Sequence, residues 1–476
     1  MNHSSTARSS LGNSLTGPQV TMISIAGIIG AGLFIGSSNA IATAGPAILI
    51  SYALTGLLVL LVMRMLGEMA VLQPDSGSFS TYATRAIGHW AGFTIGWLYW
   101  WFWVLTIPVE AIAGANILHN LFPAVASWEF AVAIMVVLTV TNLANVKSFG
   151  AFEFWFSIIK VAAIIAFIII GLIAVSGYWP LANVHGVSRL YNQGGFMPHG
   201  FGTVLGGVLV TIFSFFGAEI VTIAAAESKD PAKQIRRSTN LMVWRIALFY
   251  LLSIFLVVSL VSWNDPALKS QGTFQFMLTS LNLPGAKLIV DIVVFVAVCS
   301  CMNSGLYTAS RMLFSLAQRG DAPARVKKIS ANGVPSLAVL ASTLAGFAGC
   351  LANYAFPNQV FDFLLSTTGA IALIVYLVIA VSQLRMRTQL ERNGMSPDFK
   401  MWLFPWLTWF AIFIIVAVLG YMVISPDYRY QTLMSSLVTL IMVSFSLYVT
   451  RHRKAVKGVE LLGTQKSRAA LNRSQT

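Results

Sequence analysis

The chain has 476 residues, of which 57% are hydrophobic and only 10% charged. A soluble protein carries about a quarter of its residues as charged side chains, so the composition excludes a water-soluble globular domain and indicates a polytopic helical membrane protein. The formal net charge of +14 invites a nucleic-acid partner, but its distribution among the loops argues for no nucleic acid.

Residues 1–19 are polar and carry no apolar stretch before a small-residue cleavage site, so a cytoplasmic tail is expected and not a cleavable signal. Twelve apolar segments follow, near 20–42, 47–70, 90–118, 128–146, 152–175, 203–226, 241–262, 288–317, 335–353, 359–384, 402–424 and 431–450. Each approaches the roughly 20 residues that cross a bilayer as a helix.

The first segment is free of charge, yet Gly27, Gly30, Gly32 and Gly36 fall within ten residues of one another. Each glycine weakens a helix by about 1 kcal/mol relative to alanine, so a break is expected around Gly30-Ala31-Gly32. Broken backbone at membrane depth is tolerated only beside protein or a water-filled cavity. A half-helix beginning there offers free N–H groups and a positive dipole end to an anion. The plainer reading is close helix packing, with Gly32 and Gly36 as one GxxxG pair and Gly88, Gly92 and Gly96 repeating the spacing later. The spacing does not fit a dinucleotide fingerprint, and no strand precedes it.

The sixth segment repeats the signal. Ser214-Phe215-Phe216-Gly217-Ala218-Glu219 places a glycine and a carboxylate near its middle. Segments one and six each open a group of five, and an odd group size makes the second group enter the membrane from the opposite side. Matching interruptions in two inverted halves mark a midplane binding site.

Lysine and arginine set the orientation. With the N-terminus inside, 24 of these residues fall on the cytoplasmic side and 4 on the outside, leaving Lys160 and Arg245 within segments. Both termini are therefore expected in the cytoplasm, with the basic tail from 451 to 476 able to touch anionic lipid.

Within the segments, Lys160 lies among apolar residues, where a charged lysine costs at least a few kcal/mol. That suits it to releasing and retaking a proton; the alternative is snorkelling to the interface. Glu219 can pair with a substrate amine, hold a proton, or bind the N–H groups of its own half-helix. Glu110, two residues after Pro108, is a weaker candidate of the same kind. Glu153 shares a helical face with Lys160 and is expected nearer the cytoplasmic interface. Asp291 is expected to reach water at the outer end of its helix. Asn303 and Ser304 are ligand contacts or interhelical glue. Cys299, Cys301 and Cys350 read as small buried hydrophobes, and no metal site, cofactor or nucleophile–base set is visible, so no enzyme is expected. A channel or a nutrient sensor on a transporter-like body is the alternative from another class.

Several motifs resemble the amino acid–polyamine–organocation superfamily: Ile29-Gly30-Ala31-Gly32-Leu33-Phe34, Phe216-Gly217-Ala218-Glu219, and Asn303-Ser304 with Tyr307, Ser310 and Arg311 leading to Arg319-Gly320-Asp321-Ala322-Pro323. Pro74-Asp75-Ser76-Gly77-Ser78-Phe79 and Glu153-Phe154-Trp155-Phe156 resemble its amino acid permease branch. The runs Trp97–Val104, Glu219–Ser228 and Ser382–Arg387 are similar to bacterial 4-aminobutyrate (GABA) permeases. The resemblance covers about residues 18–450. It implies a five-plus-five inverted repeat (20–175 and 203–384) followed by two extra helices (402–450), in the bacterial cytoplasmic membrane. It also implies proton-coupled uptake of GABA and related ω-amino acids, with an α-amino acid permease as the alternative. Lys160 would then stand where sodium-coupled relatives hold a cation. Gly30, Ala31, Gly32, Phe216, Gly217, Glu219 and Asn303 would bind substrate, and Lys160 and Glu219 would carry the proton. Where many permeases of the branch have a glycine and a threonine, this chain has Ala26 and Ala31. The missing hydroxyl leaves a substrate carboxylate to backbone N–H groups.

Overall fold

The computed structural model describes residues 15–30, 32–181, 184–330, 332–356, 359–426, 428–430 and 432–450. Ala31 and both chain ends, including the basic tail, lie outside the described residues. Among the described residues there is no strand, only a single bridge between Leu15 and Ser228.

The first apolar segment forms two pieces, α1 (Gly17–Ala26) and α2 (Ser37–Ala44), joined by turns and a π-helical turn over Gly32–Gly36. After a corner at Gly45–Ala47 come α3 (Ile48–Leu72), α4 (Ser78–Ala86), α5 (His89–Leu121), α6 (Ser127–Ala144) and α7 (Val146–Val175). The sixth segment also forms two pieces, α8 (Gly202–Phe215) and α9 (Ile220–Ala225). Next is α10 (Pro231–Arg245), continued through a π turn at Ile246–Leu252 into α11 (Ser253–Leu260). Then follow α12 (Pro266–Gln271), α13 (Thr273–Ser280), α14 (Ala286–Gln318), α15 (Ser336–Ala355), α16 (Gln359–Arg392) and α17 (Trp406–Ile424). A last helical run, α18, spans Tyr428–Thr450.

Ten helical runs among the described residues are long and apolar enough to cross a membrane, and α15 adds a shorter apolar helix. Two regions expected as loops are helical. The polar stretch after α3 contains α4, and the connection at 263–287 contains α12 and α13. These helices are short and amphipathic, so they leave no apolar run to read.

Burial sorts the helices. In the α8–α9 run 94% of the most apolar stretch is inside the protein, against 17% in α18. Lipid is as apolar as leucine, so close packing and interhelical hydrogen bonds hold such a bundle together, the latter at about 0.6–2 kcal/mol each. Thr55 meets Thr211 at 2.6 Å between α3 and α8, and Ser78 meets Thr222 at 2.7 Å between α4 and α9. Gly92 and Gly96 serve the close-packing role that their spacing suggests. A Cβ on Gly92 would stand 2.6 Å from the Ser80 carbonyl oxygen, and one on Gly96 would stand 2.7 Å from Ser80 Oγ.

Candidate substrate site at two helix breaks

α1 ends because Gly27 caps it and the chain turns through Gly30. α8 ends because Phe216 turns to extended backbone (ψ 141°) and Gly217 adopts φ +109°, a conformation that side chains with a Cβ rarely take. The two interruptions touch. A Cβ on Gly217 would overlap the Gly27 carbonyl oxygen, and one on Gly32 would stand 2.9 Å from the Ser214 Cα. Glycine at these places is what lets the two broken helices approach.

A helix break frees carbonyl groups that must find donors. Three consecutive carbonyls of the first break do so on three different helical elements. Cys301 Sγ of α14 lies 3.6 Å from the Gly27 oxygen. The Tyr250 hydroxyl lies 3.1 Å from the Ile28 oxygen and 2.8 Å from the Ser214 oxygen, bridging the two breaks. Lys160 Nζ donates to the Ile29 oxygen at 3.1 Å and to Ser300 Oγ at 3.0 Å. Tyr250 sits in the π turn at Ile246–Leu252, a local irregularity often found at functional sites.

Lys160 is fully buried, which excludes snorkelling. Glu153 is fully buried as well. Its carboxylate accepts from Ser300 Oγ at 2.7 Å and from Asn303 Nδ2 at 2.5 Å. Asn303 Oδ1 in turn accepts from Asn142 Nδ2 at 2.6 Å. A chain of polar groups thus runs from the Ile29 carbonyl through Lys160, Ser300, Glu153 and Asn303 to α6.

A small cavity lies at the breaks, about 10 Å³ in volume, walled by Gly30, Gly32, Phe102, Trp103, Glu110 and Phe216 among others. That is about the space of one water molecule. Phe102 and Phe216 meet in its wall with ring centroids 4.0 Å apart and planes tilted by 52°. Of the residues expected to bind substrate, Gly30, Gly32 and Phe216 line this space. Gly217 lies behind it and holds the two breaks together. Asn303 joins the Glu153 network. Glu219 also stands behind the wall: its Oε1 accepts from the Tyr99 hydroxyl at 2.9 Å, and its two oxygens lie 3.2 and 3.1 Å from the Gly217 N–H. Ala31 lies outside the described residues.

Sequence reasoning missed Tyr250 and Cys301 as site residues, and it allowed one ring of the Trp97–Trp103 run to wall the cavity without choosing Trp103. The Trp103 ring is buried and walls the cavity. The crowd of small polar residues Cys299-Ser300-Cys301-Met302-Asn303-Ser304 in an apolar helix was a usable signal for Cys301. Nothing in the aromatic run around Trp103 or the apolar run around Tyr250 singled those rings out. Among the described residues no group of three or more His, Cys, Asp or Glu side chains is placed to hold a metal ion.

A second buried cluster lies near the end that carries Leu15. Arg311 Nε meets Glu227 Oε1 at 3.1 Å, and the Tyr307 hydroxyl donates to the same oxygen at 2.8 Å. Phe149 stacks on Tyr307 at 4.3 Å, and the Leu15 N–H donates to the Glu227 carbonyl at 3.2 Å.

An all-helical bundle with ten apolar runs is the architecture of a multi-pass membrane protein. The chain belongs to the amino acid permease family, whose profile matches residues 19–457. It is 59% identical to a probable GABA permease of Pseudomonas aeruginosa over 93% of this chain and 94% of the relative. It is 55% identical to the gamma-aminobutyric acid permease of Escherichia coli over 94% and 96% of the two chains, and 49% identical to that of Bacillus subtilis over 94% and 95%.

Proposed function

We propose that this chain is a proton-coupled secondary transporter that imports GABA and related ω-amino acids across the cytoplasmic membrane of a bacterium. The observation that carries this reading is the meeting of two helix interruptions at one buried cavity, with Lys160 held on the Ile29 carbonyl of the first. Two differently broken helices in contact are an arrangement suited to a midplane site. The names of the relatives support GABA as the cargo.

The substrate carboxylate docks on the N–H groups that follow Gly30, where the second half-helix begins and the dipole favours an anion. Glu110, the carboxylate in the cavity wall, takes the ammonium group. The rings of Phe102 and Phe216 cover the three methylenes between, in keeping with sites that are mostly apolar with few polar anchors. Glu219 shapes the second break through Tyr99 and Gly217. Protonated Lys160 grips the Ile29 carbonyl. Loss of the proton loosens that grip, and the first half-helix is then free to move relative to α7. Protonation and the geometry of the binding cradle are linked in this way.

Twelve spans, arranged as two inverted groups of five with two extra helices, and both termini in the cytoplasm complete the proposal. The bias of 24 basic residues against 4 supports that orientation. A second reading, uptake of α-amino acids, draws on the 38% identity to an aromatic amino acid transport protein of Corynebacterium glutamicum. Competition decides between them. GABA and neighbouring ω-amino acids should displace labelled GABA better than alanine, lysine or phenylalanine. A tenfold advantage for any α-amino acid, about 1.4 kcal/mol, replaces the GABA reading with the second one.

A further inference from the structure

The central cavity is too small for an amino acid as it stands, but a larger chamber lies beyond it. This vestibule, about 400 Å³, is bounded by Phe34 and Ile35 below, by α5 on one side, and by α12 and α14 on others. Pockets that take small ligands measure about 300–1,000 Å³. Its wall carries two buried acceptor atoms with no hydrogen-bond partner among the described residues: Asp291 Oδ2 and Gln271 Oε1. Asp291 is only 9% exposed, and among the described residues it forms no ion pair with Lys269 or with Lys287. A buried carboxylate oxygen without a donor is costly, and the Lys287 charge acts on Asp291 without pairing with it, so Oδ2 stays open to an ammonium group that enters the chamber. Lys269, in the same wall, is exposed and free of any described ion pair. The vestibule therefore presents acceptors for an ammonium and a separate donor for a carboxylate. Phe34, its floor, belongs to the same π turn as Gly32, so the chamber stands directly over the first break.

We propose that this vestibule is a second binding site for a zwitterionic ω-amino acid, which captures substrate from outside before it reaches the cavity. Asp291 and Gln271 hold the ammonium group and Lys269 the carboxylate. A ligand with widely separated charges spans the two poles, whereas an α-amino acid, with its charges on one carbon, engages only one pole at a time. Selection for charge separation thus begins before the helix breaks. The proposal rests on the reading of the chain as a GABA importer.

The test uses purified full-length protein in liposomes and labelled GABA. Asp291→Asn should raise KM about tenfold while the maximal rate changes by less than twofold, with Asp291→Glu restoring most of the affinity. Lys269→Gln, a surface change that does not endanger folding, should raise KM several-fold in the same way. In a Gly32→Val background, where the central site is blocked, weak GABA binding should persist and disappear on adding Asp291→Asn. Wild-type GABA uptake with unchanged KM in both single variants overturns the vestibule and leaves the importer reading intact. Absence of GABA uptake in the wild type overturns both. Loss of all GABA binding in Gly32→Val alone assigns binding to the central cavity and contradicts the second site.

Discussion

In the proposed transport cycle Lys160 is the residue on which coupling turns, because its ammonium group joins the freed Ile29 carbonyl to Ser300 and so to the Glu153 network. Replacing it with methionine fills the space with an apolar chain and removes the switchable charge. The Ile29 carbonyl loses a donor, at a cost of about 1–3 kcal/mol, which a large bundle tolerates. Lys160→Met should therefore bind GABA yet fail to accumulate it under an imposed pH gradient; accumulation at the wild-type level would remove Lys160 from the coupling step. The lysine was legible in the sequence because a charge in an apolar segment is conspicuous. Its neighbour in the network, Glu153, was visible too, but its partners Ser300 and Asn303 were not, since they come from a helix far away in sequence. Glu219 stood out for the same reason as Lys160, and the structure gives it Tyr99 and the Gly217 N–H as partners.

At the scale of elements, the interrupted helices depend on glycines that let backbones meet. Gly217→Ala places a methyl group against the Gly27 carbonyl oxygen in a positive-φ position. Neither backbone segment can yield alone, so GABA binding should fall at least tenfold while the protein still inserts; binding within twofold of wild type would show that the breaks do not need this contact. The prediction for the Glu227–Arg311 pair is that it closes the end of the bundle that carries Leu15. Leaving a buried arginine without its counter-charge costs about 3–5 kcal/mol, a cost relieved by letting water reach it. Glu227→Gln should thus favour opening toward the end that carries Leu15. In a background without native cysteines, Ser228→Cys should react several-fold faster with a thiol reagent in the Glu227→Gln variant; equal rates would mean that the pair does not close this end. Both breaks were legible from glycines in apolar segments. Their mutual contact was not, because it depends on three-dimensional packing between segments far apart in sequence. Tyr250, which ties one to the other, looks in the sequence like any aromatic in a lipid-facing run.

For the whole molecule, the proposal has charge decide orientation and the helix breaks decide function. A cysteine introduced at position 460 in the cysteine-free background should react with an impermeant thiol reagent only after cells are opened, as the excess of basic residues on one side requires. Reaction in intact cells would invert the topology and exchange the two faces of the site. The twelve apolar segments could be marked from hydropathy alone. The short helices α4, α12 and α13 could not, being polar enough to pass for loops. The vestibule that α12 and α14 help to form was hidden for the same reason. Transport coupled to a proton is the claim on which the rest depends. Its most direct measurement is uptake of labelled GABA into liposomes that hold the purified protein, with and without an inward proton gradient and with no other ion gradient present. Coupling predicts accumulation above the external concentration only while the gradient lasts, and collapse to equilibrium when a proton ionophore is added. Uptake that stops at equilibrium in both conditions would contradict it and make the chain a passive pathway.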